Sequence, residues 1–160
     1  MCALASSLFI GACYTKSVST SHSICLAQTD EQIARCFAVM SELRPYLEET
    51  QFVARVRALK TEGFELAFLE ADSEVKAVAG FRVFDKLATG RMMYVDDLVT
   101  TSTSRSQGHG DALFDWLVNT AKERNCLQLE LDSGVQRFDA HRFYLRKRMR
   151  ISSHHFVLQF

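Results

Sequence analysis

A glycine pair between a strand-like segment and a helix-like segment constrains the possible folds of this chain more than any other feature. Residues 91–100, RMMYVDDLVT, have the apolar character of a strand, and Gly108 and Gly110 follow after a polar loop. Apolar side chains then recur at helical spacing, namely Ala112, Leu113, Trp116, Leu117 and Ala121. A helix that begins at the glycines aims unpaired backbone N–H groups at one point, where its dipole favours negative charge. The pattern indicates either an anion cradle or a plain loop before a helix.

The length and charge of the chain limit its class. With 160 residues, 48% of them hydrophobic, the chain is long enough for one domain with a core. Lysine plus arginine equals aspartate plus glutamate at 19 each, so the net charge gives no reason to expect nucleic acid or a membrane surface as a partner.

The five cysteines are scattered, without a C-x-x-C pair or the spacing of a zinc site. We therefore expect no metal, no disulfide and a reducing, cytoplasmic environment. The neighbouring His154 and His155 do not change this expectation, because adjacent residues on a strand point to opposite faces.

Residues 1–23 differ in composition from the remainder. They are apolar and then rich in serine and threonine, and no Lys or Arg precedes Lys16, which argues against a secretory signal. We expect a disordered N-terminal extension over 1–23 and the folded domain over 24–160.

Helix and strand patterns alternate along the rest of the chain in the order β α α β β β α β α β. Thr29 and Gln32 form a capping box for a first helix that runs toward Pro45, which suits the first turn of a second helix. The expected strands are 23–28, 64–70, 75–85, 91–100, 126–132 and 151–160, and a short basic helix is expected at 137–148. This order predicts an α/β or α+β fold, a mixed sheet with helices on its faces.

Two familiar phosphate motifs do not fit the glycine pair. No G-K-[ST] follows the glycines, which excludes a Walker loop. A dinucleotide site needs a third glycine and places the loop after the first strand, whereas here it follows the fourth.

The segment around the glycines resembles motif A of the GNAT superfamily of N-acetyltransferases, a strand followed by [RQ]-x-x-G-x-[GA] and a helix. Arg105, Gly108 and Gly110 occupy the motif positions. The downstream segment resembles motif B, a strand and then a helix with A-x-x-x-Y, here Ala140 and Tyr144. The family's usual Gly-Phe after this helix is replaced by Arg148 and Met149. The resemblance spans about 24–160 and implies a mostly antiparallel sheet of about six to seven strands with helices on both faces.

The resemblance assigns the donor site. Backbone amides of Gln107 to Asp111 would bind the pyrophosphate of acetyl-CoA with Arg105 beside it, and Leu98 and Val99 would pair with the pantetheine arm where the family's fourth and fifth strands splay apart. The cofactor-binding set is Leu98, Val99, Arg105, Ser106, Gln107, Gly108, His109, Gly110 and Asp111. The ring of His109 is expected to point to solvent.

The resemblance also gives candidate catalytic residues. Tyr144 matches the family position of the general acid that protonates the leaving thiolate, and its alternative is a tyrosine that only packs in the core. Asp96 and Asp97 are similar to the acidic strand of polyamine-type members, where carboxylates attract a cationic acceptor and take its proton through water. Their alternative is a carboxylate satisfied by a neighbouring arginine. Adjacent strand residues face opposite sides unless a bulge redirects them.

The implied activity is direct acetyl transfer from acetyl-CoA to a primary amine in a ternary complex. A small cationic amine is the first expectation for the acceptor, and a protein N-terminus or lysine is the second. A module that binds acyl-CoA without catalysis is the alternative of another class. The apolar segment 151–160 allows pairing across a homodimer.

Overall fold

A computed structural model of the chain describes residues 14–15 and 22–160. The strands are β1 Tyr14–Thr15, β2 His22–Leu26, β3 Phe64–Ala71, β4 Glu74–Lys86, β5 Gly90–Thr100 and β6 Gln128–Leu131. The helices are α1 Asp30–Arg35, α2 Phe37–Leu43, α3 Glu49–Lys60, α4 His109–Glu123 and α5 Phe138–Arg146, with a 3₁₀ turn at Ser102–Ser104.

The strands form one sheet in the order β1-β2-β3-β4-β5-β6, antiparallel except for the parallel pair β5 and β6. Five strands have four or more residues, and β1 has two. The predicted fold class, a mostly antiparallel mixed sheet with helices, is therefore confirmed, with a strand count at the low end of the expectation.

Helices cover both faces of the sheet because strand side chains alternate between the faces. On one face Leu113 and Leu117 of α4 pack among Leu69, Phe81 and Met93. On the other face the residues of α1, α2 and α3 pack on Leu66, Phe68, Val78 and Val99. The apolar residues predicted for the helix after the glycines thus include its buried stripe, Leu113, Leu117 and Ala121.

Two irregularities in β5 decide where the site lies. Gly80 of β4 pairs with Asp97, but the next residue, Phe81, pairs with Val95, so Asp96 is the extra residue of a β-bulge. The pairing of β5 with β6 runs from Met92 with Gln128 to Val95 with Leu131 and stops there. Beyond that point β5 keeps its partner β4, and its other edge is open toward the β6 side.

The two predicted helices between 29 and 62 differ in detail from the structure. The capping box of Thr29 and Gln32 is present. The first helix is divided at Cys36, whose N–H donates to the carbonyl of Ile33 in a tighter turn, so α1 and α2 replace one helix. Pro45 is not in the first turn of the next helix, because α3 begins at Glu49 and Pro45 lies in the preceding turn.

The expected strand at 151–160 is wrong. These residues are exposed and have no regular secondary structure. A segment with alternating apolar residues forms a strand when a neighbouring strand is there to pair with it. Here β6, which has four residues, pairs with β5 alone. Pairing of this segment across a dimer stays a prediction.

The expectation of no disulfide is also wrong. Cys36 and Cys126 are free thiols, whereas Cys25 of β2 is disulfide-bonded. The cysteine pattern therefore gives no support for a reducing compartment. Within the described ranges no helix is long and apolar enough to cross a membrane. Apart from β1 and the first two residues of β2, the expected extension over 1–23 lies outside the described residues.

Candidate active site

The loop before α4 ends in a cluster of backbone donors. Gly108 caps the helix at φ +83°, in the left-handed region that favours glycine, and Ser106 lies at φ +64°. The first helical hydrogen bond runs from the N–H of Ala112 to the carbonyl of Gly108 at 2.9 Å. The N–H groups of His109, Gly110 and Asp111 therefore precede the helical ladder, at the positive end of a 15-residue helix.

An acidic side chain from α2 holds the start of this loop. Glu42 accepts hydrogen bonds from the hydroxyl of Thr101 at 2.7 Å and the N–H of Ser102 at 2.8 Å. Burial acts to raise the pKa of Glu42, but these hydrogen bonds outweigh it and lower the pKa. The loop is thus fixed by an ionised carboxylate that the sequence alone did not single out. Arg105 follows the 3₁₀ turn and is exposed.

Two cavities lie beside the open part of β5. The larger, of about 500 Å³, is bounded by α2, α3 and the sheet, and the smaller, of about 120 Å³, is bounded by β5, the segment after β6 and α5. Five residues line both cavities, namely Arg44, Asp96, Asp97, Asp132 and Gly134. The cavities therefore adjoin at a group of three carboxylates.

Tyr144 lies in the smaller cavity together with Leu98, Ala140 and Ser133. Its ring contacts Phe143, with ring centres 5.4 Å apart, and Phe114 of α4, with ring centres 6.4 Å apart. Burial raises the pKa of the phenol, so it keeps its proton at neutral pH. The hydroxyl oxygen of Ser133 is buried there without a hydrogen-bond partner, which leaves a polar group available to a ligand.

The bulge brings both aspartates to the same two cavities, instead of sending them to opposite faces. Asp97 accepts a hydrogen bond from Nε of Arg44 at 2.7 Å, and Asp96 accepts one from Nε of Arg82 at 3.2 Å. Burial raises the pKa of the Asp96 carboxyl, against the opposing effect of Arg82. Both carboxylates thus have arginine partners and also line the cavities, and their part in catalysis stays a prediction.

Residues 26–148 match the acetyltransferase (GNAT) family. The chain belongs to the GNAT family of acetyltransferases. It is 34% identical over 118 residues to the uncharacterized N-acetyltransferase YhdJ of Bacillus subtilis (strain 168). The aligned region covers 73% of this chain and 83% of that relative. The predicted family and enzyme class are confirmed, and the chain is an acyltransferase.

Two solved structures share the GNAT fold. One is the aminoglycoside N-acetyltransferase AAC(6')-Iy in complex with CoA, at a TM-score of 0.78 and 9% identity over 89% of this chain and 97% of that chain. The other is the ribosomal-protein-alanine N-acetyltransferase from Brucella melitensis biovar Abortus 2308, at a TM-score of 0.75 and 18% identity over 87% of this chain and 99% of that chain. At these identities the likeness shows the fold alone.

One expectation for the glycine loop of this GNAT domain is wrong. The ring of His109 does not point to solvent, since the residue is 5% exposed. Burial lowers its pKa, and the nearby positive charges of His22 and Lys76 act in the same direction. At the first position of α4 the side chain can pack against the sheet while the backbone N–H of the same residue points out of the helix end. The motif alone did not show which way the side chain points.

Several residues of the cleft were missed by the sequence reasoning about function. Arg82, Tyr94 and His155 line the larger cavity, and Arg44 and Asp132 line both. They come from β4, β5, the C-terminal segment and the residues that directly follow α2 and β6. Asp132 had a local signal, since it ends a strand, but the others are ordinary charged or aromatic residues until the fold brings them together. Among the described residues no cluster of three or more His, Cys, Asp or Glu could hold a metal ion.

Proposed function

We propose that the chain transfers the acetyl group of acetyl-CoA to a primary amine by direct attack in a ternary complex. The observation that carries this proposal is the junction of the two cavities, where Asp96, Asp97 and Asp132 lie between the larger space and Tyr144. One cavity then takes the reacting end of the donor and the other the acceptor, so the amine meets the thioester at the junction.

The residues present fit acetyl-CoA. The N–H groups at the start of α4 suit a pyrophosphate, and Gln107, Gly108, His109, Gly110 and Asp111 supply the backbone of this cradle. Arg105 and Ser106 lie in the same loop. The open edge of β5 at Leu98 and Val99 offers backbone groups to the pantetheine arm, in the manner of an added strand.

Tyr144 is the proposed general acid. Leu98 and Tyr144 line the same small cavity, so the phenol lies where the thioester end of a chain running along β5 arrives. A phenol kept protonated by burial can donate to the departing sulfur. The carboxylates of Asp96 and Asp97 are proposed to attract the ammonium group of the acceptor to the junction.

A small cationic amine remains the first acceptor class, on the strength of these carboxylates. A second class, amines that also carry a carboxylate, is favoured by Arg55 of α3. This exposed arginine lines the larger cavity and has no hydrogen-bond or ion-pair partner among the described residues, whereas Arg44 and Arg82 are paired with aspartates. An acceptor carboxylate would find an unpaired guanidinium there.

The test is release of free thiol from acetyl-CoA in the presence of a panel of amines. The panel contains polyamines, aminoglycosides, free amino acids, the amides of the same amino acids and a short peptide with a free N-terminus. Turnover with polyamines above that with amino acids supports the cationic class. Turnover with amino acids but not their amides supports recognition through Arg55. Calorimetric binding of acetyl-CoA without thiol release on any amine would instead indicate a non-catalytic acyl-CoA module.

A further inference from the structure

Three side chains from distant parts of the chain meet at the wall of the larger cavity. The hydroxyl of Tyr94 on β5 donates to Oδ2 of Asp132 at 2.6 Å, and Nδ1 of His155 lies 2.9 Å from the same oxygen. All three residues line the cavity. His155 belongs to the exposed C-terminal segment 151–160.

The contacts fix the chemical state of this group. Burial and the hydrogen bond to Asp132 raise the pKa of the Tyr94 phenol, which therefore remains a donor to the carboxylate. An Asp132 oxygen that faces Nδ1 selects the tautomer with the proton on that nitrogen. The lone pair of the imidazole then resides on Nε2, which is the ring atom that can accept a proton.

The position of His155 and Asp132 relative to the proposed reacting groups suits proton removal from an acceptor. Asp132 lines both cavities with Asp96 and Asp97, and Tyr144 lies in the smaller one. The guanidinium groups of Arg44 and Arg82 occupy oxygens of the two aspartates, which leaves fewer lone pairs free to take a proton from an acceptor. Arg55 and Tyr46 complete the titratable lining of the larger cavity. In that lining, His155 is the side chain that offers a nitrogen lone pair to a proton.

We propose that His155 is the general base of the reaction and that Asp132 and Tyr94 orient it; this inference rests on the proposed acetyl transfer. Nε2 takes one proton from the acceptor ammonium, and the neutral nitrogen forms a bond to the acetyl carbon as the carbon–sulfur bond breaks. The nitrogen loses its second proton to water when the amide forms, and the sulfur gains one from Tyr144, which is reprotonated from solvent. The side chain of His155 is 61% exposed, so it returns its proton to water.

The experiment compares His155→Gln with His154→Gln in the full-length chain. His154 is the adjacent exposed histidine and serves as the matched control. For His155→Gln we expect kcat/KM to fall about a hundredfold or more with the affinity for acetyl-CoA unchanged. The acid limb of the wild-type pH profile should be lost, and imidazole added to His155→Ala should restore part of the rate. His154→Gln should keep the wild-type rate and profile.

The outcomes separate the base from a surface ion pair that only anchors the C-terminal segment. An anchoring role would lower thermal stability or raise the acceptor KM while the acid limb persists, and imidazole would not restore the rate, which would overturn the proposal. Wild-type kcat/KM in His155→Gln would overturn the base assignment alone. If the wild-type chain releases no thiol with any amine, the proposed function fails and this inference fails with it.

Discussion

Gly80 lies directly opposite Asp97 in the β4–β5 ladder, and a Cβ built on Gly80 would lie 2.5 Å from Cζ of Phe64 and 3.1 Å from Oδ2 of Asp97. The missing side chain thus makes room for a core ring and a carboxylate beside the bulge. The guanidinium of Arg82, which pairs with Asp96, lies over the same ring at 5.7 Å.

We expect Gly80→Ala to lower the free energy of unfolding by about 1–3 kcal/mol, because the added methyl group overpacks a buried contact. Urea denaturation measures this loss. Gly134→Ala is the control for stability, since its Cβ would meet the exposed side chain of Gln136, which can move. Equal midpoints for wild type and Gly80→Ala would show that Phe64 shifts without cost.

The turn after α5 contains a residue in an unfavourable conformation. Arg148 has φ +62°, its N–H donates to the carbonyl of Leu145, and the N–H of Met149 donates to that of Tyr144, both at 3.0 Å. These bonds form a Schellman motif at a position that favours glycine. We expect Arg148→Gly to stabilise the chain by about 1 kcal/mol, measured as a rise in Tm.

Arg150→Gly is the matched control for this substitution. Arg150 is exposed and has no positive φ, so glycine there should give no rise in Tm. A similar rise in both variants would attribute the effect to the loss of a basic charge instead of the backbone.

Replacement of Tyr144 by phenylalanine tests the general acid. The variant keeps the ring packing on Phe114 and Phe143 and removes the hydroxyl. We expect kcat to fall about a hundredfold, as is usual when an acid catalyst is lost, while calorimetry gives an unchanged Kd for acetyl-CoA. Unchanged kcat would leave Tyr144 with a packing role alone.

Burial of His109 predicts a dependence of stability on pH. Its pKa in the folded chain lies below the ordinary value of 6.5, so the folded state binds fewer protons than the unfolded state. The contribution of His109 to the free energy of unfolding should be complete above about pH 7, should fall as the pH drops through 6.5, and should level off below the folded pKa.

Denaturation at several pH values between 5 and 8 measures this dependence. His109→Gln should lose the part of the slope that belongs to His109, and His154→Gln should keep the wild-type slope. Parallel curves for wild type and His109→Gln would contradict the burial of a neutral imidazole.

Much of the fold followed from local patterns. The capping box of Thr29 and Gln32, the alternating strands and the apolar stripe of α4 each depend on neighbours a few residues away, and each formed near its predicted place. Segment 151–160 had a strand pattern without a strand, because a ladder requires a partner that the pattern does not contain.

The sequence by itself determined the family, and the residues proposed for the donor side, Arg105, Gly108, Gly110 and Tyr144, belong to motifs with short spacings that a local segment contains. The arrangement proposed for the acceptor side was decided by the tertiary structure. The bulge at Asp96 depends on the register between β4 and β5, and Asp132 contacts Tyr94 and His155, which lie 38 and 23 positions away from it in the chain. Packing of the whole sheet sets these distances, and the interactions that fix them join residues that no short segment contains together.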